Sequence, residues 1–188
     1  MGCIPSKPKP TPSTPKYTPS PTPTIAPLIL HPSTIAAILP ESFPSPDRGI
    51  VSWKTLISSP QTRTNTFTVG IGTCPAGSRV SCPSQHSSSS AGQGHGQGQG
   101  FLALHRHAHA EIYYVISGRG VVSIDGREER VGKGSLVFIP GDAVHGVRCL
   151  GGGEDGKGGD GEEEDGGDLV WLYVFAADGF GEIGYRFE

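Results

Sequence analysis

The chain has few of the features that mark secreted or membrane-spanning proteins. It contains four cysteines, and their spacing matches neither a disulfide framework nor a zinc-binding pair. No run of about 18 apolar residues is present, so no helix is expected to cross a membrane. No signal-peptide core stands near the start. We therefore expect a cytoplasmic protein with reduced thiols that is not secreted.

Charge of either sign is also scarce outside one segment. The net charge is −3, and residues 151–168 carry eight acids and one lysine, which leaves +4 on the rest of the chain. No basic stripe with interleaved aromatic residues appears, so a nucleic-acid partner is not expected. The acidic run is expected to be a solvated loop.

Three segments have too few apolar residues to form a core. Of the 17 prolines, 13 fall within the first 46 residues; residues 84–100 are mainly serine and glycine, and residues 151–168 are acidic. Such compositions predict extended or disordered chain. We predict a disordered tail over 1–46, within which Thr34–Leu39 forms a short helical turn or strand that packs on the domain. Residues 47–188 form one domain with flexible insertions at about 84–100 and 151–168.

The remaining sequence is typical of an all-β domain. Short runs rich in β-branched and aromatic residues alternate with turn residues, and Asp125-Gly126 is a pair favoured in type I′ hairpins. On the last long run, 169–176, apolar residues occupy both faces, which predicts burial on both sides. The expected strands are residues 49–57, 66–73, 101–107, 111–117, 121–124, 127–131, 136–139, 145–150 and 169–176. This pattern predicts a β-barrel.

A cluster of metal-ligand residue types lies within this pattern. His105 and His107 are two apart, so on a strand they point to the same face, and Glu111 has the same parity. His145 follows 34 residues after Glu111 and lies on another expected strand. Three imidazoles and one carboxylate suit a divalent transition metal: iron, manganese, nickel, copper or zinc.

The spacing of these residues resembles the two conserved motifs of the cupins. The first motif is His105-x-His107-x3-Glu111-x6-Gly118, and the second is Gly134-x5-Pro140-x-Asp142-x2-His145-x3-Cys149. The 15 residues between Gly118 and Gly134 are typical of small single-domain cupins. The resemblance implies a jelly-roll-like barrel whose metal ligands are His105, His107, Glu111 and His145.

Three positions depart from the cupin pattern. Gln99 replaces a glycine, although Gly98 and Gly100 flank it, and Asp142 replaces a second glycine beside Gly141. Cys149 stands where the family has asparagine. None of these changes removes a ligand.

Two further residues are candidates for catalysis. Tyr113 shares the parity of Glu111, so it is either a hydrogen-bond donor to an oxygen at the metal or a core tyrosine. His109 is a further ligand, a proton carrier or a solvent-facing loop residue. Cys149 is expected to be a small buried filler.

The N-terminus carries a possible lipidation signal. Met1-Gly2-Cys3-Ile4-Pro5-Ser6 fits the N-myristoylation pattern, with Cys3 available for a second acyl chain. The start resembles those of dually acylated G-protein alpha subunits and Src-type kinases. Two chains at Gly2 and Cys3 would anchor the protein to the cytoplasmic face of a membrane. The alternative is a chance Met-Gly start on a disordered tail.

Two functions fit this sequence. The first is a small-molecule metalloenzyme, either a dioxygenase-like oxidoreductase or a lyase or isomerase that acts on a small carboxylate, oxo or enediol substrate. The second is a non-enzymatic cupin that binds or senses a metal or ligand, tethered to a membrane if Gly2 and Cys3 are acylated. The family resemblance favours the enzyme and a homodimer.

Overall fold

The computed structural model describes residues 25–77, 99–151 and 167–188. Gly2, Cys3 and most of the two expected insertions lie outside these ranges. The described elements are α1 (Pro32–Ala37), β1 (Glu41–Ser42), β2 (Gly49–Ile50), β3 (Ser52–Ile57), β4 (Thr68–Cys74), β5 (Phe101–Arg106), β6 (Glu111–Ser117), β7 (Arg119–Ile124), β8 (Arg127–Gly132), β9 (Leu136–Ile139), β10 (His145–Cys149), β11 (Leu169–Phe175) and β12 (Arg186–Phe187). Single 3₁₀ turns occur at Pro46–Arg48 and Phe180–Glu182.

The strands form two antiparallel sheets. The first sheet has the order β1-β3-β4-β11-β6-β9, and the second has the order β12-β5-β10-β7-β8, with β2 also pairing with β5. Asp125 and Gly126 both have positive φ, 48° and 77°, as a type I′ turn between β7 and β8 requires. The predicted all-β, jelly-roll-like barrel is confirmed.

The core lies between the inner faces of the two sheets. On β11 the inward side chains Trp171, Tyr173 and Phe175 are buried, whereas the alternate residues Val170, Leu172 and Val174 are only half-buried. The expected burial of both faces of this strand therefore holds for one face alone. The outer face is partly open because no second layer of described structure covers it fully.

The segment before the barrel contributes to the sheet. β1 lies within residues 1–46, which we assigned to the tail, yet it pairs with β3. Phe43 packs against the core cluster. The ammonium group of Lys54 donates hydrogen bonds to the carbonyl oxygens of Ile35 and Ala36, at 3.2 and 3.1 Å. These bonds connect α1 to β3, although α1 buries no residue of its own. None of the helices in the described ranges is long and apolar enough to span a membrane.

Candidate metal centre

The four predicted ligands lie together at one end of the barrel. His105 is on β5, His107 follows that strand, Glu111 begins β6, and His145 begins β10. His145 is the direct cross-strand partner of His105. The exposed fractions of the four residues are 0–2%. Strand parity and antiparallel pairing therefore bring residues from three strands to one buried point.

The three imidazoles are held in the same tautomer by backbone carbonyl groups. The Nδ1 atoms of His105, His107 and His145 lie 2.8 Å from the carbonyl oxygens of Ala103, His109 and Ala143, respectively. A carbonyl oxygen can only accept a hydrogen bond, so each Nδ1 carries the hydrogen. The lone pair of each Nε2 is then free. This arrangement is typical of metal-binding histidines, whose second nitrogen is fixed by an outer partner.

The free ligand atoms face one another with no hydrogen bond between them. Glu111 Oε2 lies 3.3 Å from both His107 Nε2 and His145 Nε2. These three atoms and His105 Nε2 are buried without a hydrogen-bond partner, and the ligand atoms of the three histidines lie within 4.8 Å of one another. Buried acceptors in such contact repel each other unless a cation lies between them. Two ligands about 2.1 Å from a common ion would be about 3.0 to 3.4 Å apart. The residues therefore fit a metal ion.

The electrostatics of the site keep His105 neutral. The pKa of His105 is lowered from 6.5 to about 3, chiefly by burial and in addition by His145 and His107, while its hydrogen bond to Ala103 opposes the change. A neutral imidazole is the form that binds metal. At neutral pH this ligand needs to lose no proton.

Comparison with known proteins agrees with this geometry. Residues 95–155 match the family model for the cupin domain. The dimethylsulfoniopropionate lyase DddW of Ruegeria pomeroyi is 30% identical to the chain over 142 residues, which cover 76% of this chain and 69% of that lyase. The chain belongs to the cupin family.

Solved structures share the fold of this cupin. The polyketide cyclase RemF of Streptomyces resistomycificus superposes with a TM-score of 0.53 at 18% identity, covering 85% of each chain. A chain from the crystal structures of the DMSP lyases RdDddP and RnDddQII gives a TM-score of 0.52 at 16% identity, covering 80% of this chain and 62% of that one. At these identities the likeness concerns the fold alone.

The structure accounts for two of the departures from the cupin motifs. Asp142 has a φ of 63°, so it adopts the left-handed conformation that glycine would adopt, which aspartate tolerates better than most residues. A Cβ on Gly141 would lie 2.3 Å from the carbonyl oxygen of Ala108, so the close approach needs glycine there. Cys149 is fully buried and unpaired, as expected of a small filler.

The two candidate catalytic residues have different positions in the cupin. Tyr113 is buried, and burial, followed by the negative charge of Glu111, raises its pKa well above the usual value. Its hydroxyl therefore keeps its proton at neutral pH. His109 is half-buried, and its backbone carbonyl accepts the hydrogen bond from His107 Nδ1. The main chain of His109 thus orients a ligand.

Aromatic residues that the sequence analysis did not single out surround the site. A cavity of about 30 Å³ beside Glu111 is lined by Phe43, Val51, Trp53, Gly72, Leu102, Tyr113, Trp171, Tyr173, Phe180 and Tyr185. The ring of Tyr185 stacks on His105, with centroids 4.8 Å apart, and meets the edge of His107 at 5.5 Å. The sequence offered no signal for Tyr185, because the strand beside it, β12, has only two residues. A larger groove of about 830 Å³, lined by residues of β7, β8 and β9, contains none of the four ligands.

Proposed function

We propose that this cupin is a metal-dependent lyase that acts on a small carboxylate. One observation carries the proposal: three Nε2 atoms converge, unpaired and buried, on Glu111, which also lines an aromatic cavity. His105, His107, Glu111 and His145 would hold the ion. The ion would be iron, manganese, nickel, copper or zinc, and it would supply Lewis-acid chemistry at substrate oxygens.

The residues around the cavity suggest how a substrate would lie. Among the described residues that line it, none is arginine or lysine, so no basic side chain there would hold a carboxylate. The substrate carboxylate would therefore lie on the side of the cavity next to Glu111, where the ion would be held. The aromatic rings would surround the other end of the molecule. Faces of tryptophan, tyrosine and phenylalanine attract cations, so a sulfonium group suits this wall.

Dimethylsulfoniopropionate is therefore the first substrate to test, since the 30% identical relative is a lyase for this compound. A base, for which His109 with its buried and unpartnered Nδ1 is the candidate, would take a proton from the carbon next to the carboxylate, and a double bond would form between that carbon and its neighbour. The bond between the neighbouring carbon and sulfur would break, and its electron pair would go to sulfur. The products would be acrylate and dimethyl sulfide. Tyr113, whose hydroxyl keeps its proton and is hydrogen-bonded to Glu111, would hold that carboxylate in place.

The test combines elemental analysis with a headspace assay for dimethyl sulfide. We expect near-stoichiometric metal in the wild-type protein, and loss of both metal and product in the variant His105→Ala/His107→Ala. His31→Ala, at an exposed position, is the matched control. Product formation that persists at wild-type rate in the metal-free double variant would contradict the proposal. Folding of each variant is checked by circular dichroism.

Two alternatives have distinct outcomes in the same experiment. Bound iron with substrate-dependent oxygen uptake would favour the dioxygenase-like oxidoreductase. The small volume of the cavity, about 30 Å³, favours the second candidate, a cupin that binds metal without turnover. Stoichiometric metal with no product from dimethylsulfoniopropionate or related small carboxylates would support that candidate.

A further inference from the structure

The metal centre is closed in the described conformation. The four ligands are at most 2% exposed, and the adjoining cavity has a volume of about 30 Å³. On the same measure one water molecule needs about 10 to 15 Å³, so this cavity has room for about two water molecules. A carboxylate with five or more heavy atoms needs several times that volume. Some element must move before a ligand of this size reaches the site.

Two aromatic side chains pack on His105 and two more pack on those, and we call the four, Phe43, Phe180, Tyr185 and Phe187, the aromatic lid. Tyr185 and Phe187 lie over His105, with ring centroids 4.8 and 5.6 Å away. Phe43 packs on Phe187 at 5.3 Å and on Tyr185 at 6.1 Å. Phe180 contacts Tyr185 at 6.2 Å. The lid thus joins residues from both ends of the barrel domain.

The lid residues lie on or next to short elements: Phe187 on β12, Tyr185 just before it, Phe43 just after β1, and Phe180 in a 3₁₀ turn. β12 has two residues, and its ladder to β5 consists of the pairs Arg186 with Arg106 and Phe187 with His105. In contrast, β4, β6 and β11 have seven residues each. Since local opening costs least where few contacts and backbone hydrogen bonds break, β12 is the element that separates most easily.

The bonds that hold β12 closed lie largely at the surface. Arg186 pairs with Asp142, and Glu188 pairs with Arg106 at 2.8 Å; all four side chains are partly or largely exposed. The Glu188 amide also donates to the carbonyl oxygen of Leu104, at 3.0 Å. Exposed ion pairs of this kind contribute little to stability. These ion pairs therefore hold β12 on β5 but add little to the free energy needed to release it.

We propose that release of β12 from β5 opens the aromatic lid, and that metal ions and substrate reach the Nε2 atoms by this route. Opening moves Tyr185 and Phe187 off His105 and exposes the ligands. The inference rests on the metal site of the proposed function but not on lyase chemistry. An inactive protein that exchanges metal through this route is consistent with it.

A reversible cross-link provides the first test. Arg106 and Arg186 are direct partners in an antiparallel ladder, where Cα atoms lie about 4.5 to 5.5 Å apart, within the range of disulfides. In Arg106→Cys/Arg186→Cys we measure uptake of Co²⁺ by absorbance and its release to excess chelator. Oxidation should slow both rates at least tenfold, and reduction should restore them. Ser123→Cys/Glu128→Cys, which joins β7 to β8, is the matched control and should change neither rate.

Weakening the surface anchors should have the opposite effect. Arg186→Gln/Glu188→Gln removes both ion pairs and should raise uptake and release together by about two- to tenfold, with little change in affinity. Arg148→Gln removes an exposed pair with Glu128, far from the lid, and should leave both rates unchanged. A change in release alone would indicate damage to the ligands and would contradict gating.

A measurement that needs no metal ion tests the opening of the lid independently of the proposed function. Diethyl pyrocarbonate modifies exposed imidazoles, and mass spectrometry gives the rates at His105, His107 and His145. Oxidising the Arg106→Cys/Arg186→Cys pair should slow modification of all three, even if the protein binds no metal. Equal rates in the oxidised and reduced forms would overturn the proposal and indicate another route. Failure of the lyase assay alone would not.

Discussion

Acidification should destabilise the metal-free protein through His105. The folded state keeps the pKa of this imidazole at about 3, against 6.5 for the unfolded chain, because the ring is fully buried beside His145 and His107. Between these two values the unfolded state binds the proton and the folded state does not. Stability is therefore complete above pH 6.5 and is lost as the pH falls towards 3.

The size of this effect follows from the two pKa values. One pKa unit corresponds to about 1.4 kcal/mol, so the full loss is about 5 kcal/mol between pH 6.5 and pH 3. Between pH 8 and pH 5 the expected contribution is about 2 kcal/mol. Most carboxylates stay ionised over this narrower range, which isolates the histidine effect.

Urea unfolding in the presence of a strong chelator measures this contribution. The free energy of unfolding is determined at pH 8 and pH 5 for the wild type, for His105→Gln and for the exposed control His31→Gln. The wild type and His31→Gln should lose about 2 kcal/mol more than His105→Gln. An equal loss in the wild type and in His105→Gln would refute the argument, because it would mean that His105 is protonated equally in both states.

Three other changes have defined outcomes. Gly72→Ala should lower the free energy of unfolding by about 1 to 3 kcal/mol, because the new Cβ would lie 2.5 Å from the Trp171 ring. The control Gly184→Ala meets no atom within 4 Å and should be near neutral. Equal stability of the two variants in urea would contradict this prediction. Thr68→Val should cost about 1 to 3 kcal/mol, since the buried Thr68 hydroxyl donates to the Ala177 carbonyl at 3.0 Å, and an unchanged urea midpoint would refute this assignment. Metal at 100 times its dissociation constant should stabilise the protein by about 2.7 kcal/mol and raise its melting temperature. A chelator should reverse this stabilisation. An unchanged melting temperature would argue against the metal site.

Most of the barrel could be predicted because its signals are local. Alternation with period two, Asp125-Gly126 and the turn residues around Pro140 depend on a few neighbouring residues each. The parity of His105 and His107 predicts that both point to one face, whereas Glu111 begins the next strand, β6, and its place beside them depends on the packing of the two strands. Burial on β11 was predicted less well, because exposure of Val170, Leu172 and Val174 depends on what packs outside the sheet.

The aromatic lid could not be predicted in this way. Phe43 and Tyr185 are separated by most of the chain, and their rings meet only because β1 and β12 join different sheets of a closed barrel. Phe43 follows β1 and Tyr185 precedes β12, and both strands have only two residues, too few for a detectable hydrophobic periodicity. Nothing near Tyr185 in sequence indicates that it stacks on His105.

The sequence by itself determined the ligand types, their strand parity and the cupin spacing, since these depend on residue identity and on distances of a few residues. Tertiary structure alone decided that the Nδ1 atoms of His105, His107 and His145 meet carbonyl groups, which leaves three lone pairs and Glu111 Oε2 facing one another. It also decided that β12 pairs with β5 and that Tyr185 and Phe187 close the site. Both depend on contacts between residues far apart in sequence, which become fixed only when the sheets pack together.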